Sequence, residues 1–400
     1  MKKIITAALL AMPFMNINAQ SLKQAYGSMW RTSVSVNQWQ VKAQAGKGNN
    51  NSYSGNVNDD QTADWPKIVE QYDYVVPENV MKCEVIHPQE GVYDFTLADQ
   101  FVDKARRDGL HVLGHCLIWH SQCAPWFFVD ENGKTIGKDE LKKRMKEHIT
   151  TIVSHFKGRV EGWDVVNEAF EDNGTLRHSM FYQILGEDYI PLAFQYAHEA
   201  DPSIELYYND YSMSKPEKIK GVCNYFRPLI NKGLPITAIG LQGHMMMTDG
   251  VGQIADYEKS IKAIADLGLP CFFSELDLSA LPNPYNHSGA NVSDNFALTP
   301  ESNPYTDGLP AEVQEQWDNF WVEFYKMLIR NKEHVMRVGY WCFNDLSSWR
   351  NDWPIKGRTE YATMFDRQSQ MKPTIKKLVE LVQPNDESNN KKKSTTKKKK

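Results

Sequence analysis

Beyond its first residues the 400-residue sequence has no apolar run long enough to cross a bilayer, so no membrane span is expected. No GxGxxG and no phosphate-binding loop follows any β-rich stretch, which excludes the open dinucleotide-binding sheet and the nucleotide phosphate cradle. HExxH is absent, as are a nucleophile-elbow serine and an arginine clamp for phosphate. Cysteine is scarce: the six residues, at 83, 116, 123, 223, 271 and 342, show neither a disulfide framework nor metal-ligand spacing, and their pairing stays open. Also missing is a Pro/Gly/Ser linker, so nothing divides the body of the chain into two domains.

Aromatic residues, by contrast, are plentiful at 12% with eleven tryptophans, in a chain that is 41% hydrophobic and has ample core. Residues 1–19 combine Met1-Lys2-Lys3, an apolar stretch from Ile4 to Met15 and a small residue at Ala19. That is the pattern of a secretory signal rather than of an ordinary first helix. Residues 384–400 hold Asp386, Glu387 and seven lysines, a composition that buries nothing and is expected to be disordered. With both ends set aside, residues 20–383 carry a net charge of about −12, which argues against nucleic acid as a partner. Export to a secreted, periplasmic or cell-surface location, as a monomer, is the expectation.

Between the ends, short β-branched or aromatic runs alternate with longer amphipathic ones. Extended stretches are expected at Thr32 to Val36, Asp73 to Val76, Val112 to Ile118, Gly162 to Val166, Ile204 to Tyr208, Ala238 to Leu241, Cys271 to Ser274 and Arg337 to Phe343. Helices with apolar residues three and four apart are expected at Leu97 to Asp108, Lys138 to Phe156, Tyr189 to Ala200, Pro216 to Lys232, Ile254 to Leu267 and Val313 to Asn331. Eight such units in one α/β domain predict a (β/α)8 TIM barrel with two loop insertions, residues 38–65 and 279–309, both rich in Asn, Gly, Ser or Pro.

Barrels of this kind work at the C-terminal ends of their strands. There the sequence places Glu78, Asn79 and Lys82; His115, Trp119, His120 and Gln122; Asn167 and Glu168; Asn209, Asp210 and Tyr211; Gln242 and His244; Glu275 and Asp277; and Trp341, Asp345, Trp349 and Arg350. The three histidines come from two strands with no helical i, i+4 pair, so no metal site is expected, nor any cofactor. Carboxylates and amides among indole rings suit a neutral, hydroxyl-rich ligand, because rings stack on pyranose faces while amides and acids bind hydroxyls. That ligand is a sugar.

The motifs VVPENVMK (75–82), GHCLIWHSQ (114–122), WDVVNEAF (163–170), YYNDY (207–211), GLQGHM (240–245), SELDLS (274–279) and YWCFNDLSSWR (340–350) strongly resemble glycoside hydrolase family 10, the (β/α)8 xylanases, in the family's order and over nearly the whole body of the chain. The resemblance implies an endo-1,4-β-xylanase, with xylan and xylo-oligosaccharides as partners. It matches Glu168 to the acid/base and Glu275 to the nucleophile. It also matches Glu78, Asn79, Lys82, His115, Trp119, Gln122, Asn167, Gln242, His244, Trp341 and Trp349 to residues that bind sugar or orient the carboxylates, with His244 held by Asp277. Cys83 departs from the pattern, standing where many members have Trp; so do Ser274, where Thr is usual, and Asn344, where Thr or Ser is common.

Retaining hydrolysis needs two carboxyls roughly 5 to 5.5 Å apart, one attacking the anomeric carbon and one protonating the leaving oxygen. An ionised Glu275 at that distance, at an effective dielectric near 20, would disfavour charge on Glu168 by roughly 3 kcal/mol, about 2 pKa units. Glu168 is therefore expected to be protonated. Competing readings are a β-1,4-glucanase or cellulase on the same fold, and a non-catalytic surface glycan-binding protein; the presence of both glutamates speaks against the latter.

Overall fold

Strands covered on both faces read as continuous apolar runs rather than alternating ones. All six residues of Gly162–Asn167 and all nine of Cys271–Ser279 are buried in this way. The computed structural model describes residues 21–43, 61–285 and 294–383; the expected signal segment and the lysine-rich tail lie outside them. Its strands are β1 (Arg31–Val36), β2 (Tyr74–Pro77), β3 (His111–Trp119), β4 (Gly162–Asn167), β5 (Glu205–Asp210), β6 (Ala238–Leu241), β7 (His244–Met246), β8 (Cys271–Ser279) and β9 (Val335–Tyr340). Neighbours pair in parallel, β6 pairs with β8, and β9 returns to β1, so the ring closes. The short β7 starts three residues past the end of β6 and pairs with the Asp277–Ser279 end of β8. The result is an eight-stranded (β/α)8 barrel with one strand prolonged.

The prolongation explains the largest difference from the expected boundaries. The strand expected to stop at Ser274 runs on to Ser279, because β7 offers backbone partners beyond the end of β6. Glu275 and Asp277 thus belong to a strand, with rigid neighbours, rather than to the loop after it. The Ile204 to Tyr208 stretch likewise shifts to Glu205–Asp210, and the last strand ends at Tyr340.

Helices pack outside the ring through the apolar stripes that their spacing predicted. Thr96–Arg107 buries Leu97, Ala98, Phe101, Val102 and Ala105, and Ala311–Arg330 buries Trp317, Phe320, Trp321 and Phe324 among others. Of the first insertion, the described ends are tied together: Asn37 donates to Gln61 Oε1 at 3.0 Å, and Gln40 donates to Asp64 Oδ2 at 3.0 Å. In the second, Tyr285 stacks on Phe296 at 4.9 Å across residues 286–293, which lie outside the described residues. No helix among the described residues is long and apolar enough to cross a membrane.

Inside the barrel a smaller apolar cluster of Val76, Leu113, Tyr207, Ala238, Phe272, Trp341 and Cys342 fills the space below the polar end. The Arg337 guanidinium lies 4.2 Å from the Phe272 ring centroid and 4.9 Å from that of Tyr207. Gly240 in β6 matters here: a Cβ on it would come within 2.3 Å of Asn209 Oδ1 and 2.7 Å of the Phe272 ring. Gly240→Ala is therefore expected to cost about 1–3 kcal/mol of stability from overpacking. It should also lower activity by displacing Asn209; thermal unfolding and turnover measured together check this, and an unchanged pair of values would refute it.

Candidate active site

The polar residues singled out in the sequence, Asp345 excepted, lie at the C-terminal ends of the strands. Glu78, Asn79 and Lys82 follow β2; His115 and Trp119 lie in β3, with Gln122 just beyond; Asn167 ends β4 and Glu168 is next. Gln242 follows β6, His244 opens β7, Glu275 and Asp277 lie in β8, Trp341 follows β9, and Trp349 begins a short 3-10 turn. Glu168 has φ +57°, a left-handed conformation that costs a non-glycine residue energy and recurs at functional sites. Gln122 shares it, at φ +46°.

The two carboxylates keep different company. Glu168 accepts from Trp119 Nε1 at 2.8 Å and from Gln242 Nε2 at 2.9 Å. Glu275 accepts from Asn209 Nδ2 at 2.8 Å and meets His244 Nε2 at 3.2 Å. Asn167 Oδ1 lies between them, accepting from Asn209 Nδ2 at 3.1 Å and from Gln242 Nε2 at 3.4 Å. One amide chain therefore joins both acids.

Behind Glu275 stands a buried charge relay. His244 Nδ1 bonds Asp277 Oδ2 at 2.9 Å; the same oxygen accepts from Trp349 Nε1 at 2.7 Å, and Arg350 donates to Asp277 Oδ1 from Nε at 3.0 Å and Nη2 at 2.9 Å. Burial alone would lower the His244 pKa, but Asp277 and Glu275 outweigh it and raise it to about 9. Asp277, against burial, is held down to about 2 by Arg350 and His244. At neutral pH the imidazole is thus a cation that donates from both nitrogens, from Nδ1 to Asp277 and from Nε2 to Glu275.

Glu168 differs from the expectation that its neighbour's charge keeps it protonated. Burial raises its pKa, but His120, Gln242, Trp119 and Lys218 together more than offset burial, and the carboxyl lies below its ordinary value. Glu275 is not among these strongest influences. His120 is itself pushed down to about 4 by burial, so its charge is present only in acid; near neutrality the two donated hydrogen bonds are the main opposition to burial. Trp119→Phe removes one donor to the charged form, so the Glu168 pKa must rise and its acid form persist to higher pH. The alkaline limb of the kcat/KM profile is expected to move upward in this variant; an unmoved limb would show that it reports another group.

A third cluster lies on the β2 and β3 loops. Lys82 Nζ donates to Asn79 Oδ1 at 2.9 Å and Gln122 Oε1 at 2.7 Å, and sits 4.9 Å from the Trp119 ring centroid. Burial lowers the Lys82 pKa while Cys116, Glu78, Glu275 and Glu168 oppose it. Burial raises that of Glu78, against Lys82 and His115. His115 Nδ1 bonds Asp164 Oδ2 at 2.8 Å, and its ring meets that of Trp341 at 5.3 Å. The Trp349 ring lies 4.8 Å from His244.

Asn209 and Arg350, placed at strand ends by the sequence but given no role there, hold Glu275 and Asp277 respectively. Ser274, noted in the sequence only as standing where Thr is usual, donates its hydroxyl to Asn209 Oδ1 at 2.7 Å. One supporting residue carried no signal in the sequence. Lys218 looked like a solvated helix residue, yet it is fully buried and pairs with Asp210 at 2.7 Å. Asp210 in turn accepts from Phe170 N at 3.3 Å, which braces the turn just after Glu168. Asp345, by contrast, is engaged by Lys372 at 2.8 Å and Thr363 at 2.9 Å rather than by this cluster.

Comparison with known proteins followed the same lines. The model of Glycosyl hydrolase family 10 matches residues 40–381. Endo-1,4-beta-xylanase A of Xylanibacter ruminicola is 44% identical over 320 residues, covering 79% of this chain and 86% of the relative. Beta-1,4-xylanase of Dictyoglomus thermophilum is 37% identical over 314 residues, covering 78% and 82%. Among solved structures, a GH10 endoxylanase retrieved from a sugarcane soil metagenome superposes with a TM-score of 0.83 at 34% identity, covering 90% of this chain and 99% of the other.

Proposed function

The chain belongs to glycosyl hydrolase family 10, and from that premise we propose that it is an endo-1,4-β-xylanase that cuts internal bonds of xylan with retention, Glu275 acting as nucleophile and Glu168 as acid/base. The observation that carries the assignment of roles is the unlike company of the two acids: a cationic donor on Glu275, neutral donors on Glu168. Glu275, bonded to the His244 cation and to Asn209, is the carboxylate placed to attack the anomeric carbon. As that bond forms, the glycosidic C–O bond breaks and its oxygen takes the proton of Glu168. The resulting glycosyl ester has lost the charge of Glu275. Glu168, now a carboxylate, removes a proton from water, whose oxygen attacks the same carbon and frees Glu275.

Sugar in the cleft displaces water from both acids, which raises the cost of charge on Glu168 and favours its acid form when the leaving oxygen arrives. Asn167, already in the chain of amides between the two acids, is suited to the 2-hydroxyl, where hydrogen bonds strengthen in the transition state. Xylose over glucose is what the family resemblance implies for Trp341 and Trp349, which in that family close over the place of the hydroxymethyl group. A polymeric substrate also supports the export expected of residues 1–19, to a secreted, periplasmic or cell-surface location, with the enzyme acting as a monomer.

The test follows linear xylan by viscosity and the early product by NMR. Viscosity should fall well before reducing ends accumulate, and the first product should be the β-anomer. Xylose released only from chain ends would refute internal cutting; initial α-product would refute the retaining assignment.

A further inference from the structure

Cys83 and Cys123 are far apart in sequence and adjacent in space. Their sulfurs are in contact at 3.5 Å, and both thiols are free. Cys83 is buried at the start of the short helix Cys83–Ile86, while Cys123 is partly exposed on the loop after β3. Each directly follows a residue of the Lys82–Gln122 pair, whose side chains bond at 2.7 Å. The backbones also join here, Glu84 N donating to Gln122 O at 3.1 Å. The other thiols have different surroundings: Cys271 donates to His334 O at 3.4 Å and Cys223 to Ala263 O at 3.7 Å, and Cys116 and Cys342 are buried.

We propose that Cys83 and Cys123 form a redox-active pair that closes to a disulfide and thereby locks the two loops carrying Lys82 and Gln122. The bond requires the sulfurs to approach by roughly 1.5 Å, to a length near 2.05 Å. The oxidant is a disulfide, either a small molecule or an exported thiol oxidase. The thiolate of the accessible Cys123 attacks one of its sulfurs, expelling the first thiol as leaving group. Cys83, as thiolate, then attacks the Cys123 sulfur of the mixed disulfide and expels the second. Two cysteine thiols are oxidised by two electrons, one disulfide is reduced to two thiols, and the two protons end on those thiols.

The consequence is local. Gln122 holds a left-handed backbone, φ +46°, through the hydrogen bonds named above, and a covalent bond at the next residue would fix that conformation before sugar arrives. Pre-organisation of a binding group improves affinity by removing an ordering cost. The effect on sugar binding rests on the reading that Lys82 and Gln122 contact the substrate; the cross-link itself does not.

The test uses the whole protein, treated with oxidised glutathione or with a thiol reductant. After oxidation four of the six thiols should titrate in denaturant, and digestion should yield a peptide joined through Cys83 and Cys123. KM for a xylo-oligosaccharide should then be lower in the oxidised form by about fivefold with kcat little changed, at the low end of usual coupling between sites. Reductant should reverse the change, and both Cys123→Ser and Cys83→Ser should abolish it. Six free thiols after oxidation, a bond from Cys123 to Cys116 instead, or the Cys83–Cys123 bond with unaltered KM would each overturn the proposal. Lys82→Met, measured in the reduced state, separates the two readings: if it leaves KM unchanged, the assignment of these loops to the sugar fails, whatever the thiol count.

Discussion

Glu275→Ala is expected to remove hydrolysis of xylan and of activated aryl xylosides alike, by a factor on the order of 10⁵ or more, as when the nucleophile of a covalent mechanism is deleted. The reason is that Glu275 supplies the atom that bonds to carbon, so a better leaving group offers no route around its loss. The structure adds a reason to expect the rest of the site to survive. Asn209 keeps its bond to Asn167 at 3.1 Å, and His244 keeps Asp277 at 2.9 Å, so neither is stranded without a partner. The vacated space lies on the face opposite the leaving group. A small anion such as azide entering it should displace an aryl leaving group with one inversion and yield the α-glycosyl azide. Activity on the aryl substrate within about tenfold of wild type, far short of what loss of a covalent nucleophile implies, would remove Glu275 from its role.

The residues proposed for this chemistry were legible because their positions repeat a rule: polar residues at the C-terminal ends of strands in a chain whose helices and strands alternate. Glu168 and Asn167 sit at the end of β4, where the sequence put them. What escaped was information that depends on packing. The extension of β8 to Ser279 is supported by β7, which a two-residue gap after β6 conceals. Lys218 lies on a helix face that reads as solvated until Asp210 is seen beneath it. The downward pull on the Glu168 pKa was hidden from the sequence for a related reason. A through-space estimate from one neighbouring carboxylate could be made from sequence, but the indole and amide that donate to it at 2.8 and 2.9 Å come from β3 and from the end of β6, and only the folded barrel brings them together. Hydrogen bonds to the charged form lower a carboxyl pKa, the opposite sign to a nearby like charge.

Glu168→Ala separates the two glutamates, because each step of the reaction needs something different from it. In the first step Glu168 gives a proton to the leaving oxygen, which matters only when that oxygen leaves poorly, as in xylan. Hydrolysis of xylan is expected to fall by roughly 10² to 10⁴, the range of lost general acid catalysis. An aryl xylobioside whose phenol leaves unaided should still form the glycosyl-enzyme at a useful rate. The second step then lacks its base, so the intermediate accumulates and appears as a burst of phenol. Trp119 Nε1 and Gln242 Nε2, which hold the carboxylate in the native protein, would face the empty space and can be met by water or by an anion. Azide needs no deprotonation, and from that side it attacks the glycosyl-enzyme to give the β-glycosyl azide, the opposite anomer to the one expected from Glu275→Ala. The anomer of the azide product therefore reports which face each glutamate guards. Equal loss on both substrates with no burst and no azide product would falsify the assignment of Glu168 as acid/base, and an α-azide from this variant would mean that the two roles are exchanged.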